Sequence, residues 1–155
     1  MQLGDTYIIT NAVQGWVEYS IKRFIPEVAK ILDKITVISA RTHFEENFPH
    51  NVEQWKMHAF LYSRYNAEKS LFTNIIAASD AEKDIAAAQN LATYCFCNNL
   101  EYSHFKNSLV KTVKFRDCPE PAELGIQINL MLERLPEIHS SPKNLCIRMV
   151  RYLNS

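Results

Sequence analysis

Apolar residues along this chain fall into two alternating spacings. Short dense runs rich in β-branched or aromatic residues predict four strands: Thr6–Thr10 (TYIIT), Ile35–Ala40 (ITVISA), Phe72–Ser79 (FTNIIAAS) and Leu109–Phe115 (LVKTVKF). Two of these are nearly continuous in apolar character, as strands buried on both faces of a parallel sheet are. Helical spacing fills the intervals. Across Gly15–Lys34, Val17, Ile21, Phe24, Ile25, Val28, Ile31 and Leu32 recur along one face, and Pro26 predicts a kink or restart. Asn51–Glu68 carries Val52, Trp55, Ala59 and Phe60 in the same way, with a short helix predicted over Arg41–Phe48. Glu82–Phe96 sets Ile85, Ala88, Ala92 and Cys95 on one stripe among helix-favouring alanines. Asn98–Ser108 is a polar connection without a period, Pro119-Glu-Pro121 opens a helix over Ala122–Leu135, and Leu145–Val150 reads as a last strand.

Strand and helix therefore alternate, which predicts an α/β fold with a parallel sheet and right-handed crossovers. The 155 residues contain no internal repeat, and one domain spanning 1–155 is expected. Lys+Arg 17 against Asp+Glu 17 leaves no net field to attract nucleic acid or an anionic membrane, so neither is an expected partner. No apolar stretch approaches the roughly 18 residues of a membrane span. Nothing near Met1–Ala12 resembles a leader, and a cytoplasmic or nucleocytoplasmic protein is expected. Cys95, Cys97, Cys118 and Cys146 show neither a Cys-x-x-Cys pair nor a zinc-like spacing with histidine, which favours reduced thiols.

In open parallel sheets ligands gather at the carboxyl ends of strands. Here those ends carry Thr10-Asn11-Ala12, Ser39-Ala40-Arg41 and Ser79-Asp80. An apolar strand ending in Thr-Asn, a helical lysine at Lys56, and an apolar strand ending in Asp80-x-x-x-Asp84 together resemble the haloacid dehalogenase superfamily. The segments GDTYIITNAVQGWVEYS, VISARTHFEENFP and QWKMHAF resemble a eukaryotic branch of it, and the likeness runs from about Gly4 to Phe115. The resemblance implies a Rossmann-like three-layer α/β/α fold with a mostly parallel sheet, and Mg²⁺-dependent hydrolysis of phosphate monoesters. It implies that Thr10 and Asn11 bind the phosphoryl group, that Lys56 neutralises phosphate and nucleophile, and that Asp80 and Asp84 hold or orient Mg²⁺. A phosphorylated small molecule or a phosphoprotein would be the partner. Hydroxyl, ammonium and carboxylate-held magnesium are what positioning and charge neutralisation in phosphoryl transfer require.

One departure changes the expectation. The family takes its nucleophile and general acid from an Asp-x-Asp motif on an earlier, central strand, and no Asp-x-Asp occurs in this sequence. Asp5 precedes a strand rather than ending one. The expectation is thus a partial domain lacking its central first strand, a fragment or truncated product that is inactive as it stands. The alternative is a catalytically dead α/β module that binds a phosphorylated ligand or a protein partner.

Each residue also has a plainer reading. Thr10 and Asn11 suit a strand end followed by a helix cap, and Lys56 suits the solvated face of an amphipathic helix. Ser79-Asp80-Ala81-Glu82 fits a capping box, and Asp84 suits pairing with nearby lysines. Arg41 suits an acidic neighbour, and Trp16, Tyr19 and Trp55 suit core or groove positions. Cys118 beside Arg116 is thin ground for reactivity.

Overall fold

A computed structural model of the chain describes residues 3–66, 74–97 and 108–150. It is a mixed α/β structure in which every strand pair is parallel. The described residues form two compact units, 1–69 and 70–155. Among them no helix is long and apolar enough to cross a membrane.

In the first unit, β1 (Tyr7–Thr10) pairs with β2 (Thr36–Ser39), Ile9 opposite Ile38 and Thr10 opposite Ser39. The link between them is α1 (Trp16–Phe24) followed by a 3-10 helix over Pro26–Lys34. The restart predicted at Pro26 is present: Ile25 leaves helical geometry with φ −143°, and the proline ring begins the tighter helix. Gly15 enters α1 at φ 85°, a left-handed conformation that a side chain would oppose. After β2 come α2 (Ala40–Phe44) and α3 (Val52–Asn66). Ala40, predicted as the last strand residue, instead opens α2, because the Ser39 hydroxyl accepts from Thr42 N and caps the helix there. Asn51 caps α3 in the same manner through Gln54 N. Ile38, Ala40, Trp55 and Ala59 form the core of this unit, with Tyr7, Ile9, Phe44 and Phe48 packed around it. Trp55 buries its ring and gives its indole N–H to the Phe48 carbonyl at 2.7 Å.

The second unit carries a three-stranded sheet, β3 (Asn74–Ser79), β4 (Leu109–Lys114) and β5 (Leu145–Arg148), with β4 in the centre. Helix α4 (Glu82–Cys97) joins β3 to β4, and α5 (Pro121–Ser140) joins β4 to β5. Strand side chains alternate between faces. Thr112 and Cys146 meet Gln89 of α4, whereas Val113 and Ile147 pack with Ile138, Leu124 and Met131 of α5. The two helices therefore lie on opposite faces. Helix α5 runs past its predicted end at Leu135. Pro136 sits inside it, and the turn beyond is held by Ile138, which packs on Val113 and Phe115. The predicted connection Asn98–Ser108 lies outside the described residues apart from Ser108.

Lys111 is the unexpected core member. It is fully buried on the α5 face of β4 and donates from Nζ to the His139 carbonyl at 2.7 Å. Burial pushes its ammonium pKa below the ordinary 10.5. The unfolded chain then holds the extra proton between the folded and unfolded values, so stability rises as pH climbs through that window. Lys111→Met should raise the melting temperature at neutral pH, with the advantage shrinking towards the alkaline end, as a calorimetric pH series would measure. Ile38→Ala, which hollows the core of the first unit, should cost about 2–5 kcal/mol in urea unfolding.

Candidate functional site

At the carboxyl end of β1 the chain turns through Thr10-Asn11-Ala12 towards α1. The Thr10 hydroxyl accepts from Ala12 N at 3.1 Å, forming a local turn that fixes the loop. Ser39, in register with Thr10 on β2, donates its hydroxyl to the Ala12 carbonyl at 2.6 Å and lies 2.8 Å from the Thr42 hydroxyl. Thr42 Oγ1 in turn accepts from Gln14 N at 3.0 Å. Two hydroxyls, those of Ser39 and Thr42, thus bind the β1 loop to the first turn of α2, and that of Thr10 closes the loop on itself. The buried Asn11 Oδ1 has no hydrogen-bond partner in this network.

Lys56 reaches this rim from α3. It is only 6% exposed, and its Nζ donates to the Ile9 carbonyl at 2.5 Å, 47 residues away in sequence. Thr36 N bonds to the Thr6 carbonyl. Backbone groups of even-numbered β1 residues therefore face β2, and the Ile9 carbonyl faces the other edge of the strand. The lysine side chain lies along that edge, one residue before Thr10. The solvated-face reading of Lys56 does not hold, because the polar head is inside. Thr10, Asn11 and Lys56 are thus brought together within the first unit.

Asp80 and Asp84 belong to the second unit, at the carboxyl end of β3. Asp80 is exposed. Asp84, on the first turn of α4, accepts from the Ser79 hydroxyl at 3.0 Å, and Ser79 Oγ itself accepts from Ala81 N. The capping-box reading does not hold: the first helical bond runs from Ile85 N to the Ala81 carbonyl, the Ser79 hydroxyl meets Ala81 N rather than Glu82 N, and the Glu82 carboxylate takes a bidentate pair from Arg148 at 2.6 and 2.9 Å. Among the described residues no group of three or more His, Cys, Asp or Glu is placed to hold a metal ion. Two carboxylates on one turn are a small donor set for Mg²⁺, and the other positions would need water or phosphate oxygen, an arrangement common for this ion.

Parallel register brings further residues to the same rim. Ser79 lies opposite Lys114, and Lys114 opposite Arg148, all at the carboxyl ends of β3, β4 and β5. Lys114 is 4% exposed and gives hydrogen bonds to the Phe115 carbonyl and to Asp117 Oδ1, each at 2.7 Å. The neighbouring cations hold Glu82 and Asp117 below the usual carboxylate range, chiefly through their hydrogen bonds to Arg148 and Lys114. The sequence reading passed over Lys114 and Arg148. Lys114 is one of two lysines in the strand LVKTVK, and nothing local sets it apart from Lys111.

The other candidates resolve simply. Arg41 pairs with Glu45 one turn along, at 2.9 Å. Trp55 is core, whereas Trp16 and Tyr19 are exposed and face each other at 5.8 Å between ring centroids. Cys118 is exposed, and Arg116 beside it is engaged with Glu123.

Compared with protein-family models, curated proteins and solved structures, the chain gives no match.

Ser39 is 3% exposed and serves as helix cap, loop anchor and hydroxyl partner at once. Ser39→Ala should therefore destabilise the protein by about 1–2 kcal/mol in equilibrium denaturation, while Ser39→Thr should recover part of the loss.

Proposed function

We propose that these residues form the phosphate- and magnesium-binding part of a haloacid-dehalogenase-like phosphohydrolase domain with a Rossmann-like three-layer α/β/α core. The observation that supports this reading is the position of Lys56. A lysine chosen as a phosphate-neutralising group is buried beside the Thr10-Asn11 loop, 47 residues away in the chain. Burying an ammonium is costly, and the Ile9 carbonyl is one of the groups that offset that cost. An anionic oxygen in front of the loop would offset more of it.

In this reading Thr10 Oγ1 and the loop N–H groups orient the phosphoryl oxygens, and the Asn11 side chain, whose Oδ1 lacks a partner, gives its amide hydrogens to them. Lys56 Nζ shifts from the Ile9 carbonyl to the phosphate. Asp80 and Asp84, in the second unit, would hold Mg²⁺, which when bound supplies the charge neutralisation that phosphoryl transfer needs. Phosphoryl transfer in this family also needs an aspartate nucleophile, and the 155 residues contain no Asp-x-Asp to provide it. Binding without hydrolysis is the behaviour expected of these residues alone, since losing a nucleophile costs on the order of 10⁶ in rate. The same fact favours a second reading, an α/β module that binds a phosphorylated ligand or a protein partner and never hydrolyses.

Calorimetric titration with inorganic phosphate tests the site. Binding should strengthen with Mg²⁺, weaken about tenfold in Lys56→Met and Thr10→Ala, and lose its Mg²⁺ dependence in Asp80→Asn. No hydrolysis of p-nitrophenyl phosphate should be detectable. Phosphate binding that is indifferent to Lys56 and Thr10 would remove the assignment.

A further inference from the structure

The carboxyl ends of β4 and β5 enclose a solvent-open cleft of about 450 Å³, within the range of small-molecule sites. Its charged lining is Lys114, Arg116 and Arg148 against a single carboxylate, Asp117. Val150, 69% exposed, gives it an apolar side, while Phe115 and Met149 border it from the core cluster they pack in. We propose that this cleft binds a small organic anion, with a phosphate or carboxylate group between Lys114 and Arg148 and an apolar portion against Val150.

The ion pairs at the cleft are built asymmetrically. The Lys114 side chain is 6% exposed, while its partner Asp117 is 82% exposed. A buried cation is therefore held by a carboxylate that is largely in water. Such a counterion has little to lose by turning back to solvent when a ligand oxygen takes its place. An ammonium has three donors; two are used, on the Phe115 carbonyl and Asp117, and the third is available to a ligand. Arg148 is a planar fork suited to two oxygens of one anion, and Glu82 now occupies it as such an anion would. That pair is also about half exposed on both sides, 53% and 55%. Glu82 is not among the cleft-lining residues; it competes for the guanidinium, which exchanges it for a ligand oxygen in the cleft. Because the cleft lies wholly within residues 114–150, the inference stands apart from the roles proposed for Thr10 and Lys56.

The experiment is an amide-resolved nuclear magnetic resonance titration of the isotopically labelled full chain with phenyl phosphate, with benzoate and inorganic phosphate as comparisons. Saturable shifts are expected at Lys114–Asp117 and Met149–Val150, with inorganic phosphate the weaker of the two phosphates because it leaves the apolar side uncovered. Arg148→Gln should weaken phenyl phosphate about tenfold or more. Glu82→Gln should tighten it by releasing the guanidinium. A purely structural pair predicts no such gain, so weakening by both substitutions alike would overturn the proposal. Equal affinity for benzoate assigns the cleft to organic anions generally, and preference for phenyl phosphate assigns it to phosphate esters. Absence of shifts at the cleft in millimolar phenyl phosphate overturns the proposal. Shifts confined to Thr10–Ala12 and Lys56 overturn it too, while supporting the site proposed in the first unit.

Discussion

Parallel pairing of short strands is the constraint from which the other features follow. A parallel strand cannot return through a tight hairpin, so each needs a crossover, and the crossover supplies the helix that covers the sheet. Every described pair in this chain is parallel. Strand ends of like polarity then meet on one rim, and residues far apart in sequence come into line: Thr10 with Ser39 in one unit, and Ser79 with Lys114 and Arg148 in the other. Polar chemistry accumulates at those rims because only there does the apolar strand interior give way to loops and helix starts.

Three lysines are buried among the described residues, Lys56, Lys111 and Lys114, and each has its ammonium on a backbone carbonyl. They differ in what else is near. Lys111 lies among the apolar side chains of the α5 face, and desolvation alone governs its titration. Lys114 has a carboxylate in addition, and Lys56 lies beside a loop of hydroxyls and an orphaned amide oxygen. The first arrangement is a cost carried by the fold. The other two have polar groups of loops and strand ends beside the cation.

The strands and helices were legible because they rest on local periodicity: the break at Pro26 and the run NIIAAS are visible in single segments. The hydroxyl at Thr10 and the lysine at Lys56 were legible as a pattern of motifs, although the burial of Lys56 was not, since α3 carries only a weakly one-sided distribution of apolar residues. Lys114 and Arg148 could not be found this way. Their alignment depends on the register of β4 against β5, which is set by the length and placement of α5 rather than by any short-range signal. The continuation of α5 through Pro136 has the same origin, because tertiary packing of Ile138 outweighs a local preference to stop.

The lysine on the outer edge of β1 has a bearing on solubility. An uncovered strand edge presents a row of acceptors and donors that a strand from another molecule can match, and proteins commonly obstruct such edges with inward-turned charge. By occupying the Ile9 carbonyl, Lys56 removes one acceptor from that row and puts a cation in the path of any incoming backbone. Any backbone N–H that pairs with the Ile9 carbonyl must first displace that ammonium, which is 6% exposed and has little solvent to turn to.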